Sequence, residues 1–218
     1  MIVDLTRTLE HGQPGVSFAT KYTRERDGWN ARTLELYSHT GTHLDAPAHF
    51  FNDGKTVDLM PLDDCIGPAH VVDLGELEPK ALIGVGHLGE LADKFVAGES
   101  LLLRTGWSKH FSDPDYYRGQ FPRVGEDLAR WCGERGVRML GVEPPSVADV
   151  HNLPEVTLIH EILLGAGIVV VEGLVNLERL PSDGSVFFAA LPLKLGGGDG
   201  TPCRAFAIDG DPSELLEP

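Results

Sequence analysis

The segment His39-Thr40-Gly41-Thr42-His43-Leu44-Asp45-Ala46-Pro47-Ala48-His49 constrains this chain more than any other stretch. It gathers three histidines and one aspartate into one short run, in a chain of 218 residues with nine histidines. Imidazole and carboxylate are the ordinary ligands of zinc, manganese and iron(II). His39, Gly41, His43 and Asp45 have the same parity, so on a strand they would share a face. A fully extended strand would hold His39 and His43 about 13 Å apart at roughly 3.3 Å per residue, too far for one ion. A helix would bring residues four apart together, as in His-Glu-x-x-His proteases, but Gly41 and Pro47 oppose one. We therefore expect a tight bend at Thr40-Gly41-Thr42 that folds His39 back beside His43. Asp45 then completes a facial His/His/Asp set, and the Thr42 hydroxyl orients a ligand. The competing reading is a polar loop whose histidines cap turns.

Beyond Pro47, which diverts the chain, His49 need not be a ligand. A histidine just outside a metal site makes a good general base, because its ordinary pKa is near ~6.5; a further metal ligand is the alternative. Two more candidates lie far along the chain. His160 sits among Leu158, Ile159, Ile162 and Leu163, which suits a satisfied core or cap histidine as well as a ligand. Glu172 ends a run of β-branched residues, at the carboxyl end of a buried strand, where open α/β sheets collect ligands. A buried glutamate is costly unless it is paired or bound to a cation.

Apolar periodicity gives a mixed α/β fold within one domain, residues 1–218. Strands are expected at 2–5, 33–38, 69–74, 100–105, 137–142, 168–172, 187–195 and 203–208. Helices are expected at 125–135 and 154–164, the latter stopped by Gly165, with a helix start within 83–91. Residues 11–30 read as a long loop carrying Phe18, Tyr22 and Trp29. Residues 196–200, Gly-Gly-Gly-Asp-Gly, read as a tight connection. They lack a Walker lysine and precede a strand, which argues against a phosphate loop.

The charge balance, 18 basic against 33 acidic residues for a net −15, repels phosphate backbones and argues against nucleic-acid binding. No apolar run is long enough for a bilayer, and the start does not read as a secretory signal, so a cytoplasmic protein is expected. Three widely spaced cysteines, Cys65, Cys132 and Cys203, read as reduced thiols.

The segment from His39 to His49 resembles the H-x-G-T-H-x-D-x-P-x-H signature of the putative cyclase family, which includes bacterial kynurenine formamidase and isatin hydrolase. Asp4-Leu5, His160 to Leu164, Val171-Glu172-Gly173-Leu174 and Gly198-Asp199-Gly200-Thr201-Pro202-Cys203-Arg204 resemble later parts of its pattern in order, with Thr201 where serine is common. The resemblance implies a swivelling β/β/α fold with a mixed sheet, usually as a homodimer or higher homo-oligomer. It implies that His39, His43 and Asp45 hold a first divalent ion, that Asp45, His160 and Glu172 hold a second in binuclear members, and that His49 is the catalytic base or acid. Zinc is the first expectation for the ion and manganese the next. The formamidases tend to carry a tryptophan in a W-P-G-D stretch near the start. Here Gly12-Gln13-Pro14-Gly15-Val16-Ser17-Phe18 occupies that region, and Phe18 is the candidate for the aromatic wall against a small-molecule substrate.

These readings converge on metal-dependent hydrolysis of an amide, arylformamidase-like. The alternatives are a cyclic amide or lactone hydrolase, or a cyclase, which would use the same residues. A non-catalytic metal-binding protein is the last alternative, and it would have no use for His49 as a base.

Overall fold

The computed structural model describes residues 1–182 and 184–210. In chain order it begins with β1 (Ile2–Asp4), β2 (Val16–Tyr22), α1 (Arg24–Asp27), β3 (Ala31–Leu36), β4 (His43–Asp45) and β5 (Ile66–Asp73). It continues through β6 (Leu82–Ile83), α2 (Leu91–Lys94), β7 (Ser100–Arg104), α3 (Pro114–Gly119), β8 (Arg123–Val124) and α4 (Glu126–Arg135). The last elements are β9 (Met139–Val142), α5 (Leu153–Gly165), β10 (Val169–Glu172), β11 (Ser185–Pro192) and β12 (Gly200–Ile208). No helix of the described residues is long and apolar enough to cross a membrane.

Strands β5, β7, β9 and β10 run parallel side by side. A parallel sheet buries both faces, and these strands are accordingly near-continuous apolar runs. Antiparallel β11 and β12 extend the sheet beyond β5, while β4 pairs antiparallel with β10. The three residues of β4 also pair with Gly200–Pro202 of β12. That second pairing closes the sheet into a seven-strand barrel, with β1 added along the far half of β12.

Alternation along the strands sorts the side chains into two cores. Leu44, Val71, Leu102, Met139, Val171, Phe188 and Ala205 point inward and fill the barrel. Leu101, Leu103, Leu140, Val142 and Val170 point outward and pack beneath helices α4 and α5, against Leu128, Ala129, Cys132, Ile159, Leu163 and Leu164. Helix α5 starts at Asn152, whose side chain accepts from Glu155 N, with Pro154 in the first turn. Helix α4 ends at Gly136 in the left-handed conformation.

Most expected elements are found, and the long loop expected at 11–30 is corrected. Residues 11–30 hold β2 and α1, and β2 forms a two-stranded hairpin with β3. Both faces of that hairpin are largely exposed, so no buried stripe marks it in the sequence. Around 83–91 the chain forms the short strand β6 and a single 3-10 turn, Val85–Leu88, and the expected helix start falls at the end of this stretch, where α2 begins at Leu91.

Truncating a side chain in the barrel interior leaves a cavity that the closed sheet cannot collapse around. Leu102→Ala is expected to lower unfolding stability by about 2–5 kcal/mol, read as a shift in the urea midpoint with an unchanged slope.

Candidate active site

The site lies on the outer wall of the barrel. In β4, Leu44 points into the barrel, so its neighbours His43 and Asp45 point outward. In β10, Val171 points inward, and Glu172 shares the outer face. The antiparallel register sets His43 directly opposite Glu172, and helix α5 lies across this face, carrying His160 down onto it. His43, Asp45, His160 and Glu172 are all nearly excluded from solvent.

The expected bend precedes β4. Gly41 adopts φ 65°, a left-handed conformation that suits glycine, and it turns His39 back until its ring centroid is 5.3 Å from that of His43. The Thr42 hydroxyl donates to Gly173 O at 2.7 Å and accepts from Arg7 N at 2.8 Å. It therefore braces the backbone of the bend, where the sequence suggested that it would orient a ligand. His39 lies over Gly200 on the other side of β4. A Cβ there would stand 2.5 Å from His39 Cε1, so only glycine admits the ring.

His39 Nδ1 lies 2.7 Å from Asp45 Oδ1, and its Nε2 lies 2.9 Å from Asp199 Oδ2. His49 ends a one-turn 3-10 helix begun by Pro47. Its ring stacks on His39 at 3.9 Å, and its Nδ1 stands 3.7 Å from Asp199 Oδ2. Phe50 stacks on His160 at 4.5 Å and meets His49 edge-on, forming an apolar lid on that side.

The ring nitrogens decide what this cluster can hold. His43 Nδ1 is committed to Gly41 O at 3.1 Å, and His160 Nδ1 to Val156 O at 2.7 Å. If those nitrogens donate, each Nε2 presents a lone pair. His43 Nε2 faces Glu172 Oε2 at 3.2 Å, and His160 Nε2 faces Asp45 Oδ2 and Glu172 Oε1, each at 3.6 Å. Lone pairs on buried nitrogens would then confront carboxylate oxygens, which repel unless a proton or a cation lies between them. Despite its closeness to Glu172, His43 Nε2 has no aligned hydrogen-bond partner among the described residues, and neither has Asp45 Oδ2. These two buried orphans aim at the same space.

Protonation answers this conflict when no metal is present. Burial opposes charge on His39, yet hydrogen bonds to Asp45 and Asp199 raise its pKa to about 9. Burial opposes charge on His43 and His160 too, and the adjacent carboxylates, Glu172 first, raise both. Burial would raise Glu172, but His160 and His43 hold it well below the usual carboxylate range. His49 goes the other way, lowered by burial and by the charges of His39 and His160 against the pull of Asp45 and Glu172.

A divalent ion fits the same donors. One ligand atom each from His43, Asp45 and Glu172 lies within 4.8 Å of the others, as does a second group of His39, Asp45 and His49. Asp45 belongs to both groups, with His160 beside it. The structure thus gathers every ligating residue named from sequence, His39, His43, Asp45, His160 and Glu172, with His49 against them. Phe18 is placed elsewhere. It lies in β2 with its ring against His11, and it is not among the residues lining the cavities at the cluster. Asp199 is the residue that sequence reasoning missed. It sits in the Gly-rich connection 196–200, beyond any local spacing rule, and the pairing of β4 with β12 carries it to His39.

A cavity of about 100 Å³ is bounded by His39, His43, His49, His160 and Glu172. It adjoins a larger one of about 520 Å³, which shares Tyr37, His39, His43 and Arg118 with it.

Residues 3–149 match the family described as Putative cyclase. The kynurenine formamidase of Bacillus cereus is 35% identical over 93% of this chain and 95% of its own. Isatin hydrolase A from Labrenzia aggregata, solved bound to benzyl benzoate, superposes with a TM-score of 0.82 at 28% identity, over 95% of this chain and 93% of that one. A predicted metal-dependent hydrolase from Bacillus stearothermophilus gives a TM-score of 0.75 at 26% identity, over 95% and 97%. The mixed sheet closed into a barrel is the fold these proteins share, and at such identity and coverage the chain belongs to the putative cyclase family, as one of its hydrolases.

Proposed function

We propose that this chain hydrolyses the amide bond of an aryl formamide in a divalent-metal-dependent reaction, with zinc or manganese as the ion and His49 as the general base. The observation that carries the reading is the convergence of orphaned His43 Nε2 and Asp45 Oδ2 with Glu172 and His160, beside a histidine held neutral. His39, His43 and Asp45 would hold one ion, and Asp45, His160 and Glu172 a second. A bound ion supplies Lewis acidity, activating water and polarising the substrate carbonyl.

The protein groups do the rest. His49, with its pKa below the ordinary histidine value, is unprotonated at neutral pH and ready to accept a proton from the attacking water. Asp199, 3.7 Å from His49 Nδ1, steadies the imidazolium that results. The same imidazolium then returns its proton to the departing amine nitrogen. Phe50 packs against His49 and His160 and keeps that side of the cluster dry, which strengthens each charge interaction within it. The likeness to isatin hydrolase A favours a second reading, a cyclic amide opened by the same groups.

Protein purified without added metal is expected to carry a stoichiometric divalent ion by elemental analysis and to hydrolyse formanilide. A chelator should abolish that activity, and the ion should restore it. Turnover of isatin alone in a panel of formanilide, isatin and a lactone would favour the second reading, and turnover of none would reject both.

His49→Ala should keep its metal and lose about 10²–10⁴-fold in turnover, while His43→Ala or Asp45→Ala should lose the metal itself. Full activity in His49→Ala would remove its role as base.

Metal affinity should also depend on pH. A ligand histidine must shed a proton to bind, and His39 holds its proton up to about 9 in the metal-free protein. Affinity should therefore rise as pH approaches that value and fall below it, with protons released on binding. Calorimetry in buffers of different ionisation enthalpy reads that release directly.

A further inference from the structure

The chain has 33 acidic residues against 18 basic, yet among the described residues no aspartate or glutamate lines the 520 Å³ cavity beside the histidine cluster. Two arginines do, Arg7 and Arg118. The Arg7 guanidinium lies 3.9 Å above the centre of the Phe111 ring. Among the described residues, its side chain has no ion pair and no hydrogen-bond acceptor; Glu10 and Tyr117 influence it only at longer range. It is half-buried, and burial pulls its pKa down. Arg118 is exposed, likewise has no such partner among the described residues, and lines both the large cavity and the small one at the cluster.

A guanidinium withdrawn from water without an acceptor is unfavourable. Phe111 occupies one face of Arg7, which leaves the in-plane N–H edges for a planar acceptor. The backbone N of Arg7 donates to Thr42, so this residue is tied to the bend that carries His39 and His43. Tyr37, Phe111 and Tyr117 supply aromatic walls between the two regions. The net charge of −15 repels anions at long range, so capture of one would depend on local cations such as these.

We propose that Arg7, aided by Arg118, receives the carboxylate of an anionic aromatic substrate whose scissile amide meets the histidine cluster. The proposal rests on the hydrolytic reading given above and adds the substrate class to it.

The test compares formanilide with formamidobenzoates carrying the carboxylate ortho, meta or para, on the metal-loaded full chain. In parallel, calorimetry gives dissociation constants for the matching aminobenzoates and for aniline, which have no bond to break. At least one carboxylate isomer should be favoured over its neutral counterpart by about tenfold in kcat/KM and in affinity. Arg7→Gln should collapse that ratio, Arg7→Lys should restore part of it, and Arg118→Gln should reduce it less. An unchanged ratio in Arg7→Gln, or no preference for any isomer in the unmodified protein, would overturn the proposal. Loss of turnover on every formamide with the binding preference intact would count against the hydrolytic reading and leave the anion site standing.

Discussion

The antiparallel pairing of His43 with Glu172 is the contact on which the rest of the molecule turns. Strand β4 is three residues long and has β10 on one edge and β12 on the other. Because side chains alternate, one step of slippage would send His43 and Asp45 into the barrel and Leu44 out. Burial of Leu44 in the barrel therefore fixes which way His43 and Asp45 point. The apolar core and the polar cluster are specified by the same register.

That cluster is stable only as an ensemble of charges. Asp45 and Glu172 are buried carboxylates, and neither has a lysine or arginine ion-pair partner among the described residues. Their compensation comes from histidines, which accept protons readily and can exchange them for a cation. Glu172 has one further anchor, since its Oε1 accepts from Val147 N at 2.7 Å. That bond holds the carboxylate in place whichever positive partner is present.

Much of this was legible in the chain. The parallel strands near 69–74, 100–105, 137–142 and 168–172 announce themselves because a sheet buried on both faces needs unbroken apolar runs. The bend at Gly41 followed from a distance argument, since His39 and His43 could not share an ion on an extended strand. Other features were silent for physical reasons. The β2–β3 hairpin is exposed on both faces, so period-two patterning had nothing to report. Helix α5 is apolar on most sides, so nothing in its own sequence separated His160 from a core histidine. Asp199 reaches His39 across 160 residues of chain, and only closure of the barrel expresses that proximity.

The histidine and carboxylate cluster hangs on the outside of a barrel whose interior is filled mainly by apolar side chains. Inward positions such as Leu102, Met139 and Phe188 touch the chemistry only through the backbone. The lumen can therefore drift among residues of similar volume over evolutionary time without retuning the ligands. The patch of outer wall around His43, Asp45 and Glu172 has no such latitude, since a swap there meets imidazole or carboxylate directly. Durability and reactivity are thereby assigned to opposite sides of the same strands.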